Sequence, residues 1–152
     1  MNVAYINPFI SATMNFFKTM LRVDAAPGKP GIKHEPYPPH DISAVIGLSG
    51  EAQGSVALSF PKIVALKIVS AMLGSEIKIV GPELTDGIGE VVNIIAGNAK
   101  GDLTAFKLSI SLPNIIIGKD HVVVSPTGAP TIVVPFTSVF GNFSMEVSLK
   151  TN

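Results

Sequence analysis

Pro82-Glu83-Leu84-Thr85-Asp86-Gly87-Ile88-Gly89-Glu90-Val91-Val92-Asn93-Ile94-Ile95-Ala96-Gly97-Asn98-Ala99-Lys100 is the stretch on which the reading of this chain turns. Proline is at home in the first turn of a helix, where its missing N–H would be unpaired anyway. Glu83 and Asp86 suit the positive end of the helix dipole. Leu84, Ile88, Val91, Val92, Ile95 and Ala99 recur at three-to-four spacing, which predicts a helix from Pro82 to Lys100. With Asp86 at zero and about 100° per residue, Glu90 falls near ~40°, Asn93 near about −20°, Gly97 near ~20° and Lys100 near about −40°. The apolar set lies opposite, so one side of the helix is built for burial and the other is a narrow polar stripe.

A solvated helix side gives the same pattern, and most amphipathic helices are no more than that. Two details run against it. Asparagine in mid-helix competes for backbone hydrogen bonds. Gly87, Gly89 and Gly97 each cost helix stability, about 1 kcal/mol relative to alanine. Small residues at these places would let another backbone come close.

Outward from this helix, Pro61 opens and Gly74 closes a second one, carrying Ile63, Leu66, Ile68, Val69, Met72 and Leu73. Before it, the runs 42–49 and 55–60 flank a glycine-bearing loop and predict a hairpin. Near the N-terminus, Asn7-Pro8 reads as a cap and first turn, and Phe9, Ile10, Ala12, Phe16, Phe17, Met20 and Leu21 predict a helix over 8–22. The aromatics at this spacing read as core or interface. The proline-rich segment 27–39 reads as a surface loop. After the helix pair, 103–111, 114–117, 121–124, 131–136 and 143–149 predict strands, separated by Pro113, Gly118, Gly128, Pro130 and Gly141. The order is helix, strands, two helices, strands. It predicts one α/β domain over 1–152, of α+β character, with three helices on one side of a mainly antiparallel sheet.

Composition bounds the function. Of 152 residues, 47% are hydrophobic and 14% charged, so apolar surface is in excess and a subunit interface would absorb part of it. Eleven basic residues balance eleven acidic ones, which argues against nucleic acid as a partner. No cysteine is present, which removes disulfides, thiolate metal sites and cysteine nucleophiles. The opening stretch 5–21 is interrupted by Asn7, Pro8, Ser11, Thr13, Asn15 and Lys18. It is neither a convincing membrane span nor a signal peptide, so no membrane is expected and a cytoplasmic setting is the default. His34, His40 and His121 are dispersed without metal-ligand spacing. Neither a nucleophile elbow nor a phosphate-binding loop is present.

Asp86 followed by Glu90-Val91-Val92-Asn93 resembles the acidic-x3-Glu-x2-Asn signature of the CheC/CheX/FliY phosphatases. Residues 65–74 look like that family's preceding helix. Ser109–Pro113, Gly118–His121 and Val133–Phe136 resemble its later strands and loops. The likeness covers about residues 42–149. Two departures stand out. Pro113 follows Asn93 with nineteen residues between, a shorter interval than the family signature has. A single Glu-x2-Asn pair is present, and the helix after Pro61 carries Lys62, Lys67 and Ser70 instead. The chain is therefore most similar to the CheX type, with one site per subunit.

The resemblance implies a CheC-like fold and a phosphatase acting on the aspartyl phosphate of a phosphorylated CheY-like response regulator. Asn93 would orient the attacking water and Glu90 would dock to the receiver, with Asp86, Gly97 and Lys100 as further partner-binding residues. It implies no cofactor of the chain's own; magnesium is expected on the receiver. It also implies a homodimer joined at sheet edges, for which 121–124 or 131–136 are the expected edge strands. The alternative within the same fold is a non-catalytic adaptor or scaffold that binds a receiver or a flagellar switch component.

Overall fold

A computed structural model describes residues 3–34, 40–104, 107–118 and 129–151. The elements run α1 (Val3–Phe16), a π-helical turn (Phe17–Leu21), β1 (Ala25–Pro27), β2 (Gly31–Ile32), β3 (Ile42–Gly50), β4 (Ala52–Phe60), α2 (Lys62–Leu73), α3 (Pro82–Asp102), β5 (Leu108–Ile110), β6 (Asn114–Ile117), β7 (Ile132–Ser138) and β8 (Phe143–Thr151). The strands form one eight-stranded sheet in the order β1-β7-β8-β4-β3-β5, with β2 also on β7 and β6 also on β3. Every pairing among the described residues is antiparallel. The expected architecture, three helices on an antiparallel sheet, is the one observed.

Alternation along the strands explains how the sheet meets the helices. Ile42, Ala44, Ile46 and Leu48 of β3 share one side with Val56, Leu58 and Phe60 of β4 and with Phe143, Met145, Val147 and Leu149 of β8; all are buried in one core with α1, α2 and α3. At its heart Phe143 stacks between Phe17 and Phe136, each 5.1 Å away ring to ring, with Phe60 at 5.4 Å. Buried Thr13 of α1 donates to Phe9 O at 2.8 Å and contacts Met145 Sδ at 3.6 Å, tying the helix to β8.

On the opposite side of the sheet a largely polar patch is buried too. Ser43, Ser59 and Ser144 sit in register across β3, β4 and β8, and Ser43 and Ser59 are hydrogen-bonded at 3.1 Å. Glu146 is 3% exposed and forms an ion pair with Lys33, just past β2. Burying a carboxylate costs several kcal/mol unless a cation accompanies it.

Four expectations need correction. The first helix begins at Val3, not at 8, so Pro8 lies inside it; burial of Ile6 beside Phe9 extends the helix toward the N-terminus. It ends in the π turn, whose extra residue helps place the consecutive Phe16 and Phe17 both in the core. The segment from Pro27 is not a plain loop: β1 and β2 pair with β7, and Gly28 N–H and Lys33 N–H donate to Pro135 O and Thr131 O. Pro27 and Pro30 keep these strands short, since neither can donate to a ladder. The run 131–136 is consequently not an edge, because β7 lies between these strands and β8. The outermost described strands are β1 and β2 on one side and β5 and β6 on the other. The proposed strand 121–124 and residues 35–39 lie outside the described residues. The strand expected over 103–111 shrinks to Leu108–Ile110, because α3 runs on to Asp102 and Leu103 caps it.

Two substitutions test this account by urea denaturation. Phe143→Ala is expected to cost about 3–5 kcal/mol by emptying the centre of the aromatic stack. Lys33→Met is expected to cost about 3–5 kcal/mol by leaving Glu146 buried without its cation.

Candidate functional site

The stripe on α3 is held outward by what the helix buries inward. Leu84, Ile88, Val91, Val92, Ile95 and Ala99 are buried to within 1% exposure, whereas Asp86, Glu90, Gly97 and Lys100 are exposed and Asn93 is half-buried. The helix begins with Pro82 in its first turn and carries Glu83 near the start and Lys100 near the end, both favourable to its dipole. Leu103 N–H closes the far end on Ala99 O at 3.0 Å.

The three glycines have different reasons. A methyl group on Gly87 would overlap the side chain of Val69, so its absence lets α2 press against α3. One on Gly89 would stand 3.3 Å from Pro113 Cγ, tighter than ordinary contact. Gly89 thus lets the segment after β5 lie close to the helix. Gly97 has no neighbour within 4 Å of such a methyl. The idea that all three glycines admit a foreign backbone is corrected accordingly: two serve internal packing, and Gly97 alone faces open space.

An open depression runs beside the stripe. Thr85, Asp86, Gly89, Glu90 and Asn93 line one wall, and Pro113 and Ile115 line the other. The structure therefore gathers Asp86, Glu90 and Asn93 at one place and adds Pro113, despite its shortened spacing. Gly97 and Lys100 lie further along the helix and do not line it. Thr85 and Ile115 were missed in the sequence; Ile115 carries no chemical signature, and only the pairing of β6 with β3 brings it here. The side chains of Glu90 and Asn93 form no hydrogen bond or ion pair with other described residues, so the carboxylate and carboxamide are available to an outside molecule. They sit at i and i+3, neighbours on one helix side, so one small group can meet both.

The second wall is firmly held. Ser111 N–H donates to Gly47 O at 2.9 Å, and Gly47 N–H donates to Ser111 Oγ at 2.8 Å. Ser111 Oγ in turn donates to Leu112 O at 3.0 Å. No group of three or more His, Asp or Glu able to hold a metal ion is found among the described residues. No described helix is long and apolar enough to cross a membrane.

Gly97→Ala is expected to raise stability by about 1 kcal/mol in denaturant unfolding, since the added methyl meets nothing and alanine is the better helix former.

Known proteins resemble this chain in sequence and share its fold. Residues 42–137 match the family model described as chemotaxis phosphatase CheX. The CheY-P phosphatase CheX of Thermotoga maritima is 32% identical over 123 residues, 79% of either chain. The crystal structure of chemotaxis protein CheX from Desulfovibrio desulfuricans superposes with a TM-score of 0.89 at 34% identity, covering 97% of this chain and 99% of that one. A CheX–CheY–BeF3–magnesium complex from Borrelia burgdorferi gives 0.80 at 29% identity, covering 96% and 97%.

Proposed function

The chain belongs to the chemotaxis phosphatase CheX family, and on that premise we propose that it accelerates hydrolysis of the aspartyl phosphate on a CheY-like response regulator, with Asn93 and Glu90 as the acting residues. The observation that carries this reading is the placement of both side chains on the open side of α3, unengaged, at a depression walled by Pro113.

The chemistry asks little of the protein. Water attacks phosphorus in line; the bond between phosphorus and the aspartyl oxygen breaks; inorganic phosphate and a free carboxylate result. Such transfer depends on positioning and on neutralising charge more than on covalent assistance. The magnesium ion that supplies this neutralisation belongs to the receiver in this reading. The Asn93 carboxamide oxygen accepts a hydrogen bond from the water and fixes its approach, as a glutamine does in small GTPases. Glu90 pairs with a cation of the receiver and sets the register of α3 over the phosphoryl group. Asp86, one turn earlier, strengthens that attraction, while Gly97 and Lys100 extend the contact along the helix.

In the same reading the protein works in the cytoplasm as a homodimer joined through an outer strand of its sheet. Sheet edges invite such pairing, and β5 with β6 is outermost among the described strands on the side away from β1 and β2.

Phosphate release from a phosphorylated receiver decides the matter. Wild type is expected to accelerate release, and Asn93→Ala to reduce kcat by at least about a hundredfold, since the water loses its alignment. Glu90→Ala is expected to weaken receiver binding as well as turnover. Binding without acceleration by wild type would instead make the protein an adaptor.

A further inference from the structure

We infer that Leu112 is a docking contact for the phosphorylated receiver, an apolar anchor at the rim of the Glu90–Asn93 depression that sets affinity and not rate. The inference rests on the reading above for the identity of the partner. It rests on the structure for the residue.

Leu112 is 84% exposed, more than any other large hydrophobic side chain among the described residues. A lone exposed leucine is ordinary and by itself calls for no explanation. What distinguishes this one is how its backbone is held. Ser111 exchanges two hydrogen bonds with Gly47 of β3, and its hydroxyl bonds the Leu112 carbonyl. On the other side Pro113 has its own φ fixed and confines the residue before it to extended backbone. The leucine is therefore presented on a stiff segment between β5 and β6, so a partner that covers it need not first immobilise a loop.

Its location supplies the occupant. Pro113, the next residue, lines the depression together with Glu90 and Asn93. In this reading a receiver seated with its phosphoryl group over Asn93 extends across Pro113, which lines the depression, to the residue beside it in the chain. The polar stripe provides charge and the water-orienting amide but no apolar area of its own. A central apolar contact beside polar groups is the composition that gives an interface its affinity. Leu112 is not among the residues lining the depression, so its loss is expected in KM and not in kcat, the pattern of an interaction made equally before and during reaction.

The experiment uses the full chain and one purified CheY-like receiver, loaded with beryllofluoride for binding and phosphorylated for turnover. Leu112→Asp is expected to raise both Kd and KM by about tenfold or more, as for an interface anchor, with kcat within about twofold of wild type. Leu112→Ala gives a smaller shift in the same direction and guards against misfolding, which unchanged circular dichroism and melting would exclude. Asn93→Ala should show the reverse split, with kcat lost and Kd largely kept. Unchanged Kd and KM for Leu112→Asp overturn the inference. So does a change of oligomeric state in light scattering, which would make Leu112 a contact between copies of this chain. If wild type binds the receiver but does not hydrolyse, the phosphatase reading fails, while weakened binding by Leu112→Asp still supports the docking role. If wild type binds no receiver, both fall.

Discussion

The close approach of α3 to its neighbours is the constraint from which the rest follows. An ordinary helix surface carries a layer of Cβ atoms. At Gly87 and Gly89 that layer is missing, and Val69 of α2 and Pro113 after β5 occupy the space. Two glycines in a helix interior cost stability in isolation; here the packing they permit offsets that cost. The apolar side of α3 is then locked between α1, α2 and the sheet. With rotation about the helix axis excluded, Glu90 and Asn93 have one direction left, outward and toward Pro113.

The sheet beneath is rigid for a related reason. Strand β8 is buried on both sides from Phe143 to Leu149, apolar toward the helices and polar away from them. Serines 43, 59 and 144 and the Glu146–Lys33 pair fill the second side. A polar layer of this kind is directional where an apolar one is not, because each group demands a particular partner. Ser43 with Ser59 joins β3 to β4, and Lys33 with Glu146 joins the segment after β2 to β8. The core between the sheet and the helices accounts for much of the excess of apolar residues.

The sequence made α3 legible because two independent patterns coincide there, an apolar period and a set of polar residues at the same period. The hairpin β3–β4 was legible from alternation around glycine; Gly50 adopts φ 118°, a conformation that glycine supplies without strain. What misled was proline. Pro8 looked like a beginning and is an interior residue; Pro27 and Pro30 looked like a loop and stand in or beside edge strands. Proline reports a local restriction, and long-range pairing with β7 or burial of Ile6 decides whether the chain tolerates it. The depression was half legible. Glu90 and Asn93 announce themselves by spacing, whereas Ile115 arrives by strand pairing across about seventy positions, which no local period records.

This division between legible and hidden parts mirrors the economy of the site. A helix fixes the mutual position of residues three apart by its own geometry, so the Glu90–Asn93 pair needs only two letters of sequence. Its relation to the second wall is not intrinsic to the helix. It is set by Gly89 against Pro113 and by Ser111 against Gly47, contacts that join three elements far apart in the chain. In the proposed reading, positioning is the chief means of acceleration that these residues offer. On that reading the residues that hold the two walls at their spacing matter to the chemistry as much as the carboxamide proposed to orient the water, although they act only through the placement of the walls.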